Sequence, residues 1–259
     1  METKGAGWVK CRTPIQTMAD AKIQRDAIRN FSVQSDFSMR LPLRSRFSYL
    51  SPMRSPKLAR YLGFFAAFTL SIAAQAAPAT QEVAVFAGGC FWCMQPPYDH
   101  LKSEGVLKTT VGYTGGKKEN PTYSEVSEGS TGHREAIEVV FDPKRITYAK
   151  LLQVFWHNVD PVDPAGEFCD KGEQYTSAIY YQNEAQKAEA EKSKVQAATE
   201  LKIKQPITTA IIQAGKFFPG EDYHQEYYTK NPIRYKFYRF NCGRDARLKA
   251  VWGELSGGH

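Results

Sequence analysis

Two cysteines three residues apart, Cys90 and Cys93, follow the point where a short apolar segment ends in Gly88-Gly89. A cysteine that opens a helix faces free backbone N–H groups and the positive end of the helix dipole, which favour its thiolate form. We therefore expect the pKa of Cys90 to fall below its usual value of about 8.5. The glycines allow a sharp bend that leaves the sulfur uncovered. The spacing predicts a reactive thiol at Cys90.

The same two cysteines are compatible with other roles. Cys90 alone fits a buried structural cysteine, and the Cys-x-x-Cys spacing fits a static disulfide or half of a zinc site. A zinc site requires two more ligands, and the remaining candidates Cys169 and Cys242 are isolated in the sequence. We therefore expect no metal. The two aromatic residues after Cys90, Phe91 and Trp92, favour a reactive site because they supply an apolar wall beside the sulfur.

The elements that must position these residues alternate between strands and helices. Apolar runs predict strands, and helical periodicity with capping residues predicts helices. The predicted strands are 83–87, 106–113, 135–141, 175–181 and 207–212, and the predicted helices begin after Cys90, at 120–121 and after Thr147, and span 183–202 and 244–251. This order predicts an α+β fold, a ferredoxin-like α/β sandwich with helices on a mixed sheet, as a single domain over 80–259 with an irregular C-terminal segment.

A secretory signal peptide is predicted over residues 53–76. A basic segment, 53–60, precedes the apolar run 61–74, and Ala74-Gln-Ala76 offers a cleavage signal of small residues. The run is short for a bilayer-spanning helix, so we expect cleavage after Ala76, a periplasmic or otherwise exported product and no stable membrane insertion. Residues 1–52 show no sustained apolar period. We expect Met53 to be the initiator and 1–52 to be a spurious or disordered extension, with an unusually long leader as the alternative.

The charge of the chain is concentrated before the predicted domain. The formal net charge is +7, but residues 1–76 carry 12 Lys/Arg and 4 Asp/Glu, so the rest of the chain has a net charge of −1. A nearly neutral domain lacks the basic surface that nucleic-acid binding requires. We expect no nucleic-acid partner and, in the absence of heptad repeats, a monomer.

Beyond these patterns, the sequence resembles the A-type peptide methionine sulfoxide reductases. Blocks that are similar to those of the family occur in the family order and together cover most of the chain from about 83 to 228. They are Gly89–Trp92, Gly112–Gly116, Asn120–Tyr123, Gly132–Ala136, Phe141–Pro143, Leu151–Trp156, Asp170–Tyr175, Ser177–Tyr180 and Asp222–Gln225. The C-terminal region from Arg234 lacks the glycine-rich two-cysteine tail of some members.

The resemblance implies reduction of the S-epimer of methionine sulfoxide, free or in proteins, for the repair of oxidised proteins. The family's essential cysteine corresponds to Cys90, which attacks the sulfoxide sulfur. The sulfoxide oxygen leaves only when it is protonated, and a carboxylic acid kept neutral by an apolar site can supply that proton. The matching acid is Glu135.

The resemblance also implies a set of pocket residues. Tyr123 and Tyr175 match the hydroxyl pair that holds the sulfoxide oxygen, and Asp170 matches a carboxylate that lines the same pocket. Phe91 and Trp92 match the apolar pocket for the substrate methyl group. His224 also lies in a family block, where a structural hydrogen-bonding role is at least as plausible.

The implied cycle uses no metal or organic cofactor. Cys90 becomes a sulfenic acid, a second cysteine condenses with it to form a disulfide, and an external thioredoxin-like dithiol reduces that disulfide. Three cysteines compete for the resolving role. We rank Cys93 first because it is nearest in sequence, and Cys169 and Cys242 remain candidates.

Two other functions are compatible with the sequence. A general thiol–disulfide oxidoreductase built on Cys90 and Cys93 would lose all activity in Cys93→Ser. A secreted binding module with a structural disulfide would turn over no substrate.

Overall fold

The computed structural model of the protein describes residues 81–257. The predicted extension 1–52 and the predicted signal peptide 53–76 therefore lie outside the described residues. Within 81–257, no helix is both long and apolar enough to cross a membrane.

The described chain alternates between strands and helices, as the sequence predicts. In chain order the elements are β1 (Glu82–Ala87), α1 (Phe91–Asp99), β2 (Val106–Thr114), α2 (Tyr123–Ser127), β3 (Arg134–Phe141), α3 (Tyr148–Trp156), β4 (Gly166–Glu167), β5 (Asp170–Lys171), β6 (Ala178–Tyr181), α4 (Glu184–Glu200), β7 (Ala210–Gln213), β8 (Phe218–Pro219), α5 (Tyr227–Lys230), α6 (Pro232–Asn241) and α7 (Arg244–Trp252).

Six strands form one sheet in the order β7-β6-β1-β3-β2-β8. All neighbours are antiparallel except β6 and β7, which are parallel, so the sheet is mixed. The central elements β1-α1-β2-β3-α3-β6 follow the βαββαβ order of the ferredoxin-like fold. The predicted α+β class, with helices packed on a mixed sheet, is confirmed.

The main core lies between the sheet and the helices α1, α3 and α7. Side chains of a strand alternate between its two faces, so Ile137, Val139 and Phe141 of β3 point to the same side. Aromatic rings fill the space above them, and Phe86 stacks with Phe155 of α3 at 5.3 Å between ring centroids. Trp252 of α7 is fully buried in the same cluster. This packing fixes the start of α1 against the end of the sheet.

The C-terminal segment differs from the prediction. It is not irregular, because 227–252 forms the three helices α5, α6 and α7. The predicted helix over 244–251 is present as α7, but the aromatic residues before it carry no clear apolar period. Their helices are stabilised by burial instead, with Tyr227 and Tyr235 packed against the sulfurs of the α1 start.

Several predicted boundaries also shift. The strand predicted over 175–181 begins at Ala178, because Tyr175 belongs to a 3-10 turn over Glu173–Tyr175. The strand predicted over 207–212 spans Ala210–Gln213. The short strands β4, β5 and β8 have two residues each, too few to leave an alternation in the sequence.

Candidate active site

Cys90 lies at the N-cap of α1, as its position after the glycines predicts. Gly89 adopts φ +74°, and a Cβ at this position would lie 2.5 Å from the Cβ of Glu167. Only glycine therefore allows the bend that delivers Cys90 to the helix start. Cys90 and Cys93 are the free cysteines of the described residues, and they are 6% and 1% exposed.

The thiols of Cys90 and Cys93 share a hydrogen bond, and the pair departs from the expected electrostatics. Burial raises the pKa of Cys90 well above its usual range, and the Cys93 sulfur and the Glu135 carboxyl add to that rise. The hydrogen bond from Cys90 lowers the pKa of Cys93 to about 7, helped by the positive charge of Arg244. The expected fall in the pKa of Cys90 is therefore wrong, because desolvation outweighs the helix dipole. Cys93 is the more acidic thiol of the pair.

The Arg244 guanidinium supports the acidity of Cys93 from the interior. It is almost fully buried and donates hydrogen bonds to the backbone oxygens of Gly88, at 3.2 Å, and Asn158, at 2.6 Å. Its Cζ lies 4.4 Å from the centre of the Phe168 ring. Because these partners are neutral, the positive charge remains available to attract a thiolate at Cys93.

Glu135 is a buried carboxyl beside the start of α1. It shares a face of β3 with Ile137, so strand alternation turns it into the interior. Its Oε2 accepts a hydrogen bond from the backbone N–H of Phe91, the residue after Cys90, at 3.0 Å. Burial raises the pKa of Glu135 well above its usual range, although this hydrogen bond opposes the rise. Glu135 therefore stays protonated at pH values at which an exposed glutamate is ionised.

The two predicted pocket tyrosines, Tyr123 and Tyr175, lie on different elements. Tyr175 is buried in the turn before β6, and burial, together with the charges of Glu135 and Tyr123, raises the pKa of its hydroxyl. Tyr123 is half-buried at the start of α2, with its ring 6.5 Å from that of Phe91. Tyr175 therefore retains its proton at neutral pH, because burial favours the neutral phenol.

Trp92 forms an aromatic wall with residues from the other end of the chain. Its ring stacks on that of Tyr227 at 3.9 Å between centroids and 8° between planes. Its indole Nε1 donates a hydrogen bond to Nδ1 of His224 at 2.9 Å. Burial lowers the pKa of His224 to about 3, so this ring is neutral and accepts the hydrogen bond at neutral pH. His224 thus orients Trp92, consistent with a structural role.

Asp170 lies close enough to Cys90 and Glu135 for its charge to raise both of their pKa values. Its Oδ2 accepts a hydrogen bond from the hydroxyl of Tyr238 on α6. Burial raises the pKa of Asp170, and this hydrogen bond limits the rise. Sequence reasoning missed Tyr238, which lies in the region that resembles the family least.

Glu221 is a second residue that sequence reasoning missed. Its two carboxylate oxygens accept hydrogen bonds from the hydroxyl of Tyr113, at 2.7 Å, and from the backbone N–H of Tyr123, at 2.8 Å. It therefore joins β2 to the start of α2 and fixes the position of Tyr123. The residue directly precedes the block Asp222–Gln225, which is the only sequence signal that points to it.

Cys169 and Cys242, the other two candidates for the resolving role, form a disulfide with each other across 73 residues. With Asp170 they place sulfur and carboxylate atoms within 4.8 Å of one another, a spacing that would suit a metal ion. Because the two sulfurs are joined in a disulfide, neither is the thiolate that binds metal ions. In this state Cys93 is the free thiol that accompanies Cys90.

A buried thiol beside a buried carboxyl of raised pKa, on this α+β fold, fits a thiol-dependent oxidoreductase. Residues 82–256 match the family model of the peptide methionine sulfoxide reductases. The chain therefore belongs to the peptide methionine sulfoxide reductase family, and the resemblance seen in the sequence is confirmed.

Individual relatives agree with this assignment. The peptide methionine sulfoxide reductase MsrA of Bacillus licheniformis is 49% identical over 173 residues, which cover 67% of this chain and 94% of that protein. MsrA 2 of Rhizobium meliloti is 45% identical over 192 residues, 74% of this chain and 93% of that protein. The crystal structure of reduced Mxr1 from Saccharomyces cerevisiae superposes with a TM-score of 0.57 at 30% identity, covering 61% of this chain and 89% of that one.

Proposed function

We propose that the protein reduces methionine S-sulfoxide, free and in proteins, to methionine, with Cys90 as nucleophile and Glu135 as acid. The observation that carries this proposal is the buried Glu135 carboxyl beside the start of α1, which accepts a hydrogen bond from the backbone N–H of Phe91, next to Cys90, and whose pKa is raised by burial. A sulfoxide placed between sulfur and carboxyl meets a nucleophile on its sulfur and a proton on its oxygen. The relatives' names, peptide methionine sulfoxide reductase, support the same substrate.

The first step transfers oxygen from the substrate to the enzyme. The Cys90 proton moves to Cys93, which shares the hydrogen bond and the charge of the pair. The Cys90 sulfur then bonds to the sulfoxide sulfur while Glu135 protonates the oxygen. The oxygen passes to Cys90 as a sulfenic acid, and methionine leaves with its sulfur reduced by two electrons.

The pocket residues orient the substrate for this step. The hydroxyls of Tyr123 and Tyr175 donate hydrogen bonds to the sulfoxide oxygen, which gains negative charge as sulfur is attacked. The rings of Phe91 and Trp92 hold the methyl group, and Asp170 lines the polar side. Because the S- and R-epimers exchange the oxygen and the lone pair, only one of them places its oxygen at Glu135.

The second step recycles Cys90. The Cys93 sulfur attacks the Cys90 sulfenic acid, water leaves and a Cys90–Cys93 disulfide forms. A thioredoxin-like protein dithiol reduces this disulfide by exchange. The cycle balances with cysteine sulfur and an external dithiol alone, so it requires neither a metal nor an organic cofactor.

The protein is exported and acts as a monomer in this proposal. The segment 53–76 has the layout of a signal peptide. The Cys169–Cys242 disulfide supports export, because disulfides persist in oxidising compartments. Mass spectrometry of the mature protein should find an N-terminus at Ala77, and a mature chain that retains 53–76 would contradict export by this route.

Single-turnover reduction of the two methionine sulfoxide epimers tests the function. The wild-type enzyme, reduced beforehand, should yield methionine from the S-epimer and none from the R-epimer. Glu135→Gln should lose this activity, while the matched variant Glu138→Gln should keep it, since Glu138 lies on the opposite face of β3. Equal yields from Glu135→Gln and the wild type would contradict the proposed acid.

The alternative of a general thiol–disulfide oxidoreductase is disfavoured by the match of residues 82–256 to the peptide methionine sulfoxide reductase family. Rapid reduction of insulin together with no methionine formation would reverse this conclusion.

A further inference from the structure

The segment 227–242, which we call the cover, lies over the sulfurs of Cys90 and Cys93. Its Tyr227 stacks on Trp92 at 3.9 Å between ring centroids. Residues of helices α5 and α6 thereby pack against both buried thiols. A methionine sulfoxide in a protein, or the dithiol of a reductant, reaches these sulfurs only when the cover moves.

Both ends of the cover join parts of the chain that are anchored in the core. Before it, the Gln225 side chain accepts a hydrogen bond from the backbone N–H of Val111 at 2.9 Å and donates one to the backbone oxygen of Val111 at 2.8 Å. After it, α7 buries Trp252 completely. The two junctions, Glu226 at φ 52° and Gly243 at φ 68°, lie in the left-handed region. The cover is thus a short segment between two turns, and its ends are fixed.

Several side-chain hydrogen bonds hold the cover to the rest of the domain, among them Arg239 to Asp245 of α7 and Lys230 to the backbone oxygen of Asp222. Tyr228 donates to Oδ2 of Asp99 at 2.8 Å, and Tyr238 donates to Oδ2 of Asp170. Each is a side-chain hydrogen bond of the kind that contributes about 0.5–1.5 kcal/mol when neutral and about 1.5–3 kcal/mol when one partner is charged. Such contacts break in local opening motions.

Besides the backbone at its two ends, the cover is joined covalently to the domain by the Cys169–Cys242 disulfide. Unlike Cys90 and Cys93, this pair is accessible, since Cys169 is exposed and Cys242 is half-exposed. Cys242 also lines an open cavity of about 460 Å³, together with Phe168 and Arg247. A protein thiol can therefore approach this sulfur pair while the cover is closed.

The hydrogen bonding around the disulfide favours attack on one of its sulfurs. The backbone N–H of Cys169 donates to Sγ of Cys242 at 3.2 Å. This donor stabilises a thiolate on Cys242 and makes Cys242 the better leaving group, because leaving thiols of lower pKa depart faster. The Sγ of Cys169, an exposed residue, is then the atom that an incoming thiolate attacks.

We propose that Cys169–Cys242 is a second redox site, reduced at the surface by a thioredoxin-like dithiol protein, and that its reduction releases the cover from Cys90 and Cys93. A thiolate of the reductant bonds to Sγ of Cys169 and the Cys169–Cys242 bond breaks. The second thiol of the reductant then attacks the mixed disulfide. The reductant ends as a disulfide, and the enzyme gains two electrons and two protons as two thiols. This inference rests on the proposed function, because the released pair is its active site.

Labelling of the Cys90–Cys93 pair measures the movement of the cover. Iodoacetamide should alkylate this pair at least about tenfold faster in Cys169→Ser/Cys242→Ser than in wild type with the disulfide intact, which corresponds to about 1.4 kcal/mol less opening free energy. The matched variant Phe237→Ser changes the exposed face of α6 and keeps the disulfide, so it should label like wild type. Equal labelling of wild type and the double variant would overturn the release of the cover.

A trapping experiment on the wild-type chain tests the point of attack without any variant of the enzyme. The probe is a thioredoxin whose second active-site cysteine is replaced by serine, mixed with protein that has Cys169–Cys242 bonded and Cys90 and Cys93 reduced. Peptide mapping should find the mixed disulfide on Cys169. An intact Cys169–Cys242 bond after this treatment overturns the inference.

These experiments distinguish failure of the second redox site from failure of the proposed reductase activity. An intact disulfide, combined with methionine formation by the fully reduced enzyme, rejects the second redox site and leaves the reductase activity standing. Trapping on Cys169 without methionine formation rejects the reductase activity and keeps the accessible disulfide.

Discussion

The molecule contains two cysteine pairs in opposite situations. Cys90 and Cys93 are free thiols three residues apart, buried under aromatic rings and surrounded by ionisable groups. Cys169 and Cys242 are 73 residues apart, bonded to each other and accessible from solvent. The difference teaches that the burial of a cysteine pair, and not the spacing of its cysteines alone, determines which reaction the pair can perform. The buried pair can exclude water from a substrate, whereas the accessible pair can exchange with another protein.

The largest expected effect separates the two pairs by a single substitution. Cys90→Ser should reduce single-turnover methionine formation by about 10⁴-fold or more, because loss of a nucleophile leaves only binding and polarisation. Cys169→Ser should still form methionine in the same assay, since it leaves the sulfur of Cys90 in place. Activity in Cys90→Ser at the wild-type level would mean that the buried pair is not the reactive one.

Glu135→Gln tests the acid that accompanies the buried pair. The glutamine keeps the shape and the acceptor for the Phe91 N–H but has no proton to transfer, so the rate should fall by about 10²–10⁴-fold. The pKa of Glu135 is raised, so its acid form persists above the usual range and is lost only as the pH rises through that higher value. The ratio of wild-type to variant rate should therefore fall with rising pH. A ratio that stays constant would contradict this role.

Cys93→Ser separates oxygen transfer from recycling within the buried pair. The variant should still form one equivalent of methionine, because Cys90 remains, and then stop with Cys90 as a sulfenic acid. A sulfenic acid probe followed by mass spectrometry should label Cys90 in this variant and not in wild type after turnover. Sustained turnover with thioredoxin at the wild-type rate would assign the resolving role to another thiol.

Cys169→Ser/Cys242→Ser should have a smaller effect, and on stability more than on chemistry. A disulfide that closes a long loop stabilises a domain by about 2–4 kcal/mol, so chemical denaturation should report a loss of this size. Under reducing conditions wild type and variant should become nearly equal. A stability difference that persists after reduction would show that the serines, and not the lost bond, cause it.

The contrast between the pairs also explains what the sequence could predict. The bend at Gly89 and the start of α1 at Cys90 follow from local patterns, whereas Glu135 was singled out through the resemblance to the family. The Cys169–Cys242 bond, by contrast, joins residues 73 positions apart, and no local pattern fixes such a distance.

The same limit applies to the electrostatics. The predicted helix start places Cys90 correctly. The raised pKa of its thiol comes from burial under α5 and α6, two helices that the sequence patterns did not predict. Tyr238 and Glu221 were not predicted, because their hydrogen-bond partners Asp170 and Tyr123 lie 68 and 98 residues away along the chain, beyond the reach of local patterns.

Disulfide mapping after one turnover tests the central claim most directly, that the buried pair alone performs the chemistry. Wild-type enzyme with Cys90 and Cys93 reduced and Cys169–Cys242 bonded is given one equivalent of methionine S-sulfoxide, quenched in acid and digested. We expect a new Cys90–Cys93 bridge, one equivalent of methionine and an unchanged Cys169–Cys242 bond. A bridge from Cys90 to Cys242 or Cys169, with Cys93 left as a free thiol, would contradict the account.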